Sequence, residues 1–262
     1  MKSISSRDNP LFKTIKKLEE SAKDRRASGN TLLDGEHLIE TYLSVLGMPE
    51  LVVLNETVAG DQGKRHLLDK FDPASLVMMP DAMFRELSPV KTPTGMIALI
   101  TIPLSAPSTQ QTEFNLLLED IQDPGNLGAI LRSAAAAGVQ AVFLSRKCAD
   151  AWSPKALRAG MGAHFYLQII ENVDLIKVAD KLHGLIVATS LDADKSLFNL
   201  DLTGPVTFVI GNEGAGLSAQ LEDVATDRVM IPMPGKIESL NAAAAASICF
   251  FERVRQRQPR LP

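Results

Sequence analysis

Three short stretches of this chain concentrate residue types that can hold a ligand or assist a reaction. Asp123-Pro-Gly-Asn126-Leu-Gly128 follows the apolar run Leu116 to Ile121. Gly211-Asn-Glu213-Gly214-Ala-Gly216 follows Val206 to Ile210. The third opens as a buried strand at Val229, turns at Pro234-Gly235, and presents Ser239, Leu240 and Asn241 before the alanine run 242–246. Small polar residues at strand-to-helix junctions offer backbone N–H and C=O groups to a ligand. Three such junctions converge on one edge of a parallel sheet, where open α/β folds bind their ligands.

Each polar residue in these stretches has an ordinary reading beside the chemical one. Asn126 suits an N-cap or a ligand contact. Arg132 sits in the otherwise apolar helix Ala129 to Gly138, where a buried guanidinium must be met by a carboxylate or by a phosphate. Glu213, between glycines, could cap the next helix or hold a substrate hydroxyl. Ser239 and Asn241 are each good caps, and two of them flanking Leu240 exceed what one helix needs. Other chemistries are set aside. The four histidines and two cysteines show no metal-ligand spacing. There is no G-x-x-x-x-G-K-[ST] phosphate loop, no G-x-S-x-G elbow, and the 211–216 glycines lack the G-x-G-x-x-G spacing.

The elements that carry these residues alternate between strand and helix. A polar helix is expected over 9–28, behind an Asp8-Asn9-Pro10 start. Strands at 31–33, 51–54, 76–79 and 96–102 alternate with helices at 36–46, 63–71 and 82–87, which indicates βαβ units and a small α/β domain over 1–102. Residues 103–113, rich in Pro, Ser, Thr and Gln, read as a linker. A second α/β domain over 114–262 is expected to place strands at 114–121, 141–145, 166–170, 185–191, 206–211 and 228–232. Its helices fall near 126–137, 154–163, 174–183, 218–224 and 240–255. The alanine run reads as a closely packed buried helix.

With 45% hydrophobic and 22% charged residues, the composition is that of a soluble globular protein. No run of about 18 uncharged apolar residues suggests a membrane span, and the first ten residues lack a secretion signal's apolar core. Cys148 and Cys249 read as small buried hydrophobes in a reducing compartment, so a cytoplasmic location is expected. The net charge of −4 argues against coating nucleic acid by charge alone. Both ends are nevertheless basic. Lys2, Arg7, Lys13, Lys16, Lys17, Lys23, Arg25 and Arg26 crowd the first thirty residues, and Arg253, Arg255, Arg257 and Arg260 the tail. Each end is either a solvated helix face or a phosphate contact.

Asn126 to Arg132 with Gly138, then Ile210 to Ser218, then Ile231 to Asn241 resemble the three successive motifs of the SpoU (TrmH-like) RNA 2′-O-ribose methyltransferases of the SPOUT superfamily. Leu32 to Ile39 and Lys91-Thr-Pro-Thr-Gly95 resemble, less specifically, that family's L30e-like substrate-binding domain. The two-domain layout is most similar to ribosomal-RNA members. The resemblance implies an α/β fold whose C-terminal parallel-sheet domain carries a trefoil knot, an S-adenosylmethionine cofactor held in the knot, and a homodimer. It assigns Gly211, Gly216, Ile231, Met233 and Leu240 to the cofactor, and catalytic duties to Asn126, Arg132, Glu213, Ser239 and Asn241. The implied reaction is methyl transfer to a ribose 2′-hydroxyl of RNA, with 23S ribosomal RNA ahead of transfer RNA. A guanidinium is a poor base, so Arg132 is read as a clamp on the adjacent phosphate that stabilises charge at the 2′-oxygen. The competing readings are a non-catalytic RNA-binding or assembly factor of the same fold, and a small-molecule nucleotide enzyme.

Overall fold

The protein is described by a computed structural model, which covers residues 1–88, 93–103 and 112–258. Most of the expected linker, Lys91 and Thr92 of the Lys91–Gly95 pattern, and Arg260 lie outside these residues. The chain divides into two compact units, Met1–Leu104 with Trp152–Phe165, and Ser105–Ala151 with Tyr166–Pro262.

The first unit is built on a five-stranded sheet in the order β1 (Lys2–Ser3), β4 (Leu76–Met79), β3 (Leu51–Asn55), β5 (Met96–Thr101), β2 (Asn30–Asp34). β1, β4 and β3 pair parallel, as βαβ units require, but β5 runs antiparallel between β3 and β2. The sheet is therefore mixed. The single long helix expected over 9–28 is two helices, α1 (Pro10–Glu20) and α2 (Ala22–Ser28). Ser21 breaks it by taking an extended conformation, returning its N–H to Lys17 O while its hydroxyl accepts from Asp24 N. Arg25 turns inward and donates to Leu18 O at 2.6 Å and Glu19 O at 3.0 Å. A cation expected at the surface thus closes the open carbonyl end of α1, a use that helix ends favour. α3 (Glu36–Val45) follows β2. The short helices α4 (Glu56–Ala59), α5 (Arg65–Leu68) and α6 (Asp81–Phe84) replace the longer ones expected at 63–71 and 82–87.

Trp152–Phe165 contains α8 (Pro154–Gly160) and packs in this unit. Thr31 Oγ1 donates to Trp152 O at 2.6 Å, and the Tyr42 and Phe165 rings meet edge-on at 5.4 Å.

The second unit is a seven-stranded, wholly parallel sheet. Its order is β10 (Lys195–Ser196), β12 (Asp227–Met230), β9 (Leu185–Thr189), β11 (Val206–Ile210), β6 (Phe114–Leu118), β7 (Ala141–Leu144), β8 (Gln168–Ile170). β6 and β11 are buried along their whole length, and their near-continuous apolar runs suit strands covered on both faces. On one face, Leu117, Ala188 and Val209 pack with α9 (Leu175–Ala179) and α10 (Ala219–Asp223). On the other, Phe114, Phe208 and Phe250 form an aromatic cluster with centroids 6.0–6.2 Å apart.

Phe250 belongs to α11 (Ala242–Arg257), which lies along α7 (Pro124–Ala137). Ala242, Ala243 and Ala246 are buried there, so the alanine run does what small side chains do between helices. The basic tail is absorbed by this packing. The Arg253 guanidinium lies 4.3 Å over the Phe114 ring, Arg255 is held by Glu252, and Arg257 meets Glu113 at 3.1 Å.

Candidate functional site

The three junctions singled out in the sequence stand at C-terminal strand ends of the parallel sheet. The most constrained is the loop after β11. A Cβ on Gly211 would lie 2.4 Å from the backbone of Gly216 and 2.7 Å from Leu217 N, so only glycine lets the loop return on itself. Asn212 folds that return. Its Oδ1 accepts from Gly214 N and Ala215 N, each at 2.9 Å, and its Nδ2 donates to Asp120 O at 2.9 Å. Gly216, with φ +69°, completes it in the left-handed region that glycine tolerates. Glu119 fixes the far side, accepting from Ser218 N and Ser218 Oγ, both at 2.7 Å. Asp120 itself adopts φ +56° and accepts from Ser145 Oγ at 2.6 Å.

Glu119, Asp120 and Asn212 were not among the expected site residues. A signal was present, since two consecutive carboxylates end an otherwise apolar strand. An Asn followed by a glycine-rich turn is also the pattern of an Asx turn.

Asp123, not Asn126, is the N-cap of α7, accepting from Asn126 N at 2.8 Å. The Asn126 side chain is thereby free for other contacts. Its Nδ2 donates to Glu213 Oε1 at 2.8 Å, and its Oδ1 accepts from Asn241 Nδ2 at 3.0 Å. Asn241 also caps α11, its Oδ1 accepting from Ala243 N at 3.0 Å and Ala244 N at 3.3 Å. One amide from each of two junctions and the carboxylate of the third therefore form a single chain of hydrogen bonds. Glu213 caps no helix, since Ser218 is the N-cap residue of α10. Ser239 is exposed and the cap of α11 belongs to Asn241.

Arg132 differs from its expected setting. It is exposed on α7, and among the described residues no carboxylate meets it. The inference from a buried charge therefore falls: the apolar composition of the helix reflects its packing on α11 and the sheet, while residue 132 points away from both. It lies six residues beyond Asn126, about 9 Å of helix rise.

A cavity of about 320 Å³ opens between the loops after β9, β11 and β12, at the small end of the roughly 300–1,000 Å³ usual for ligand sites. Gly211, Gly216, Ile231, Met233 and Leu240 all line it, together with Glu213 and Ser239; Asn126, Arg132 and Asn241 do not. Among the described residues no lysine, arginine or histidine lines this cavity, whereas Asp192, Glu213 and Glu222 do. A phosphate-bearing nucleotide is poorly matched by that wall. A molecule with a purine, a sulfonium and an ammonium suits it, with apolar side chains and backbone for the ring and carboxylates for the positive charges.

Residues 113–251 match the model of the SpoU rRNA Methylase family. The chain belongs to that family. Residues 9–98 match a second model, the MRM3-like substrate binding domain. Among curated relatives, the 23S rRNA (guanosine(2553)-2′-O)-methyltransferase RlmP of Bacillus subtilis is 32% identical over 255 residues, spanning 96% of this chain and 98% of the relative. Among solved structures, the SpoU methyltransferase AviRb of Streptomyces viridochromogenes, in complex with AdoMet, has a TM-score of 0.85 at 27% identity, covering 95% of this chain and 98% of its own. An AdoMet-bound rRNA methyltransferase from Sinorhizobium meliloti has a TM-score of 0.85 at 26% identity, covering 98% and 99%.

This SpoU methylase holds a second, wider cavity within its first unit, with Asp34 on its wall. Burial pushes the Asp34 carboxyl up, against the opposing hydrogen bond from Thr94, the charge of Arg158 and the hydrogen bond from Ser88. Nearby, Glu36, Glu40 and His66 bring ligand atoms within 4.8 Å of one another, a grouping their spacing did not suggest. The Lys64 ammonium already pairs with Glu36. Cys249 is buried as expected, and burial pushes its thiol up to about 12; Cys148, also expected to be buried, is half-buried and donates to Leu118 O at 3.3 Å.

Proposed function

We propose that this SpoU methylase transfers the methyl group of S-adenosylmethionine to a ribose 2′-oxygen of RNA, with 23S-type ribosomal RNA as the substrate class. The observation that carries this reading is the double membership of Glu213. It lines the cavity that suits a sulfonium cofactor, and it joins Asn126 and Asn241 in the polar chain beside it. Cofactor and acceptor positions are thereby adjacent. The ribosomal assignment draws support from the relatives named for rRNA and from the substrate-binding model matched over 9–98.

Bound in this cavity, S-adenosylmethionine would supply an activated methyl group. The chain's own residues do the rest. The backbone of the 211–217 return and Ile231, Met233 and Leu240 hold the cofactor, and Asp192 offers negative charge, while Glu222 is already paired with Arg228 at 3.3 Å. Asn126 and Asn241 orient the acceptor ribose, and Glu213 holds one of its hydroxyls. Ser239 supplies a further hydroxyl at the rim. Arg132, exposed and uncommitted to a carboxylate, clamps the adjacent phosphate and stabilises charge developing on the 2′-oxygen. Orientation of this kind can lower a barrier by several kcal/mol.

Further parts of the reading are a trefoil knot formed by the loops around the cavity, an L30e-like first domain over 1–102 joined through 103–113 to a methyltransferase domain over 114–262, a cytoplasmic location and a homodimer. The close return at Gly211 and the hydrogen bonds that tie Ser218 to Glu119 support that reading of the loops. The dimer draws support from an outward stripe on α7 and α11, where Ala136, Ala244 and Phe251 are exposed.

The test is transfer of labelled methyl to ribosomal RNA alongside calorimetry with S-adenosylmethionine. Arg132→Ala is expected to lower transfer by about 10²–10³, the loss typical of one charge-stabilising group, and to leave cofactor affinity unchanged. Joint loss of both would break this division of labour, and wild type that binds cofactor without transfer would favour an assembly factor.

A further inference from the structure

Both ends of the chain are rich in cations, and the fold separates their fates. At the C-terminal end, Arg253 is buried over Phe114 while Arg255 and Arg257 are paired with Glu252 and Glu113. At the N-terminal end, Arg7 pairs with Glu86, Lys13 with Asp8, and Arg25 is only 4% exposed, spent on the end of α1. Lys2 lies on β1 and Lys16 is half-buried on α1, which leaves Lys17, Lys23 and Arg26. All three are exposed, and no salt bridge or hydrogen bond holds their charges among the described residues.

Their placement follows from helix geometry. Phe12, Ile15 and Leu18 are the core side of α1, which puts Lys13 and Lys17, four residues apart, on the opposite side. Lys23 and Arg26 are three apart and share a side of α2. The hinge at Ser21 keeps the two helices consecutive, and the inward turn of Arg25 leaves its neighbour Arg26 outside.

We infer that Lys17, Lys23 and Arg26 on α1 and α2 contact the phosphate backbone of the RNA substrate, away from the nucleotide that is modified. This rests on the proposed function, since an RNA substrate is what makes phosphate the occupant. Uncommitted cations on two consecutive helices of a chain whose net charge is −4 are a local attraction for polyanions. It positions without reading sequence, which is the ordinary division between backbone and base contacts.

The test compares the full-length protein with the triple variant Lys17→Gln, Lys23→Gln, Arg26→Gln, using transcribed 23S ribosomal RNA. Three lost phosphate contacts should make the slope of log affinity against log salt shallower by about 2–3 and weaken binding on the order of 10²-fold at about 0.1 M salt. KM for RNA should rise with kcat and S-adenosylmethionine affinity unchanged. The pair Arg65→Gln, Lys70→Gln, exposed cations of the same unit, is the control and should alter the slope by less than one. An unchanged slope in the triple variant, or an equal change per charge in the control, overturns the inference. Wild type that methylates RNA while the triple variant keeps its KM sinks this inference alone. Wild type that neither binds nor methylates RNA sinks the functional reading with it.

Discussion

At the scale of single residues, the tightest constraint is Gly211. A methyl group there meets backbone at 2.4 Å, which no rotamer change relieves. Gly211→Ala is expected to open the 211–216 return, cost about 1–3 kcal/mol of stability, and abolish the thermal stabilisation that S-adenosylmethionine gives wild type. Melting curves with and without cofactor measure both. A variant with wild-type stability and full cofactor stabilisation would show that the loop yields without harm. Asn126, Glu213 and Asn241 were legible in the sequence because each sits beside a strand end, where an amide or carboxylate is conspicuous among apolar neighbours. Which of them caps a helix was not legible. Asp123 and Asn126 both suit an N-cap, and only the conformation at Asp123 decides between them. Glu119 and Asn212 were missed because their partners, Ser218 and Asp120, are 99 and 92 residues away, a pairing no local pattern encodes. The exposure of Arg132 was not legible because helix composition was taken for burial.

Among the elements, α11 carries two duties at one residue. Asn241 caps it and also donates to Asn126. Serine is about as good an N-cap as asparagine but cannot reach as far with a donor. Asn241→Ser should therefore hold the melting temperature close to wild type while methyl transfer falls at least tenfold. Asn241→Ala should also lose about 1 kcal/mol of stability. Equal activity in the serine variant and wild type would remove the Asn126 contact from the mechanism. The parallel sheet was readable from its unbroken apolar strands, which only a sheet covered on both faces permits. The first unit's sheet was less so. The direction of β5 is set by its pairing with β2 and β3 across the unit, whereas its sequence, Met96–Thr101, suits either direction. The break at Ser21 was hidden because serine is tolerated within helices and commits to a cap only when a second helix follows.

For the whole molecule, the proposed dimer has a direct check. Phe251, 47% exposed on α11, would lie in the interface, so Phe251→Arg should shift sedimentation from dimer to monomer without lowering the melting temperature of the isolated chain. A wild type that sediments as a monomer at micromolar concentration ends that proposal. The assignment of Trp152–Phe165 to the first unit bears on how this chain is made. A growing polypeptide leaves the ribosome from its N-terminus, and domains generally fold as they emerge. Here the first unit lacks part of its interior until residue 165 has appeared, by which time two strands of the second, β6 and β7, have been exposed or are still in the exit tunnel. The two halves must then mature together, and a gene cut near residue 104 would yield an N-terminal fragment with an unfilled flank that invites association.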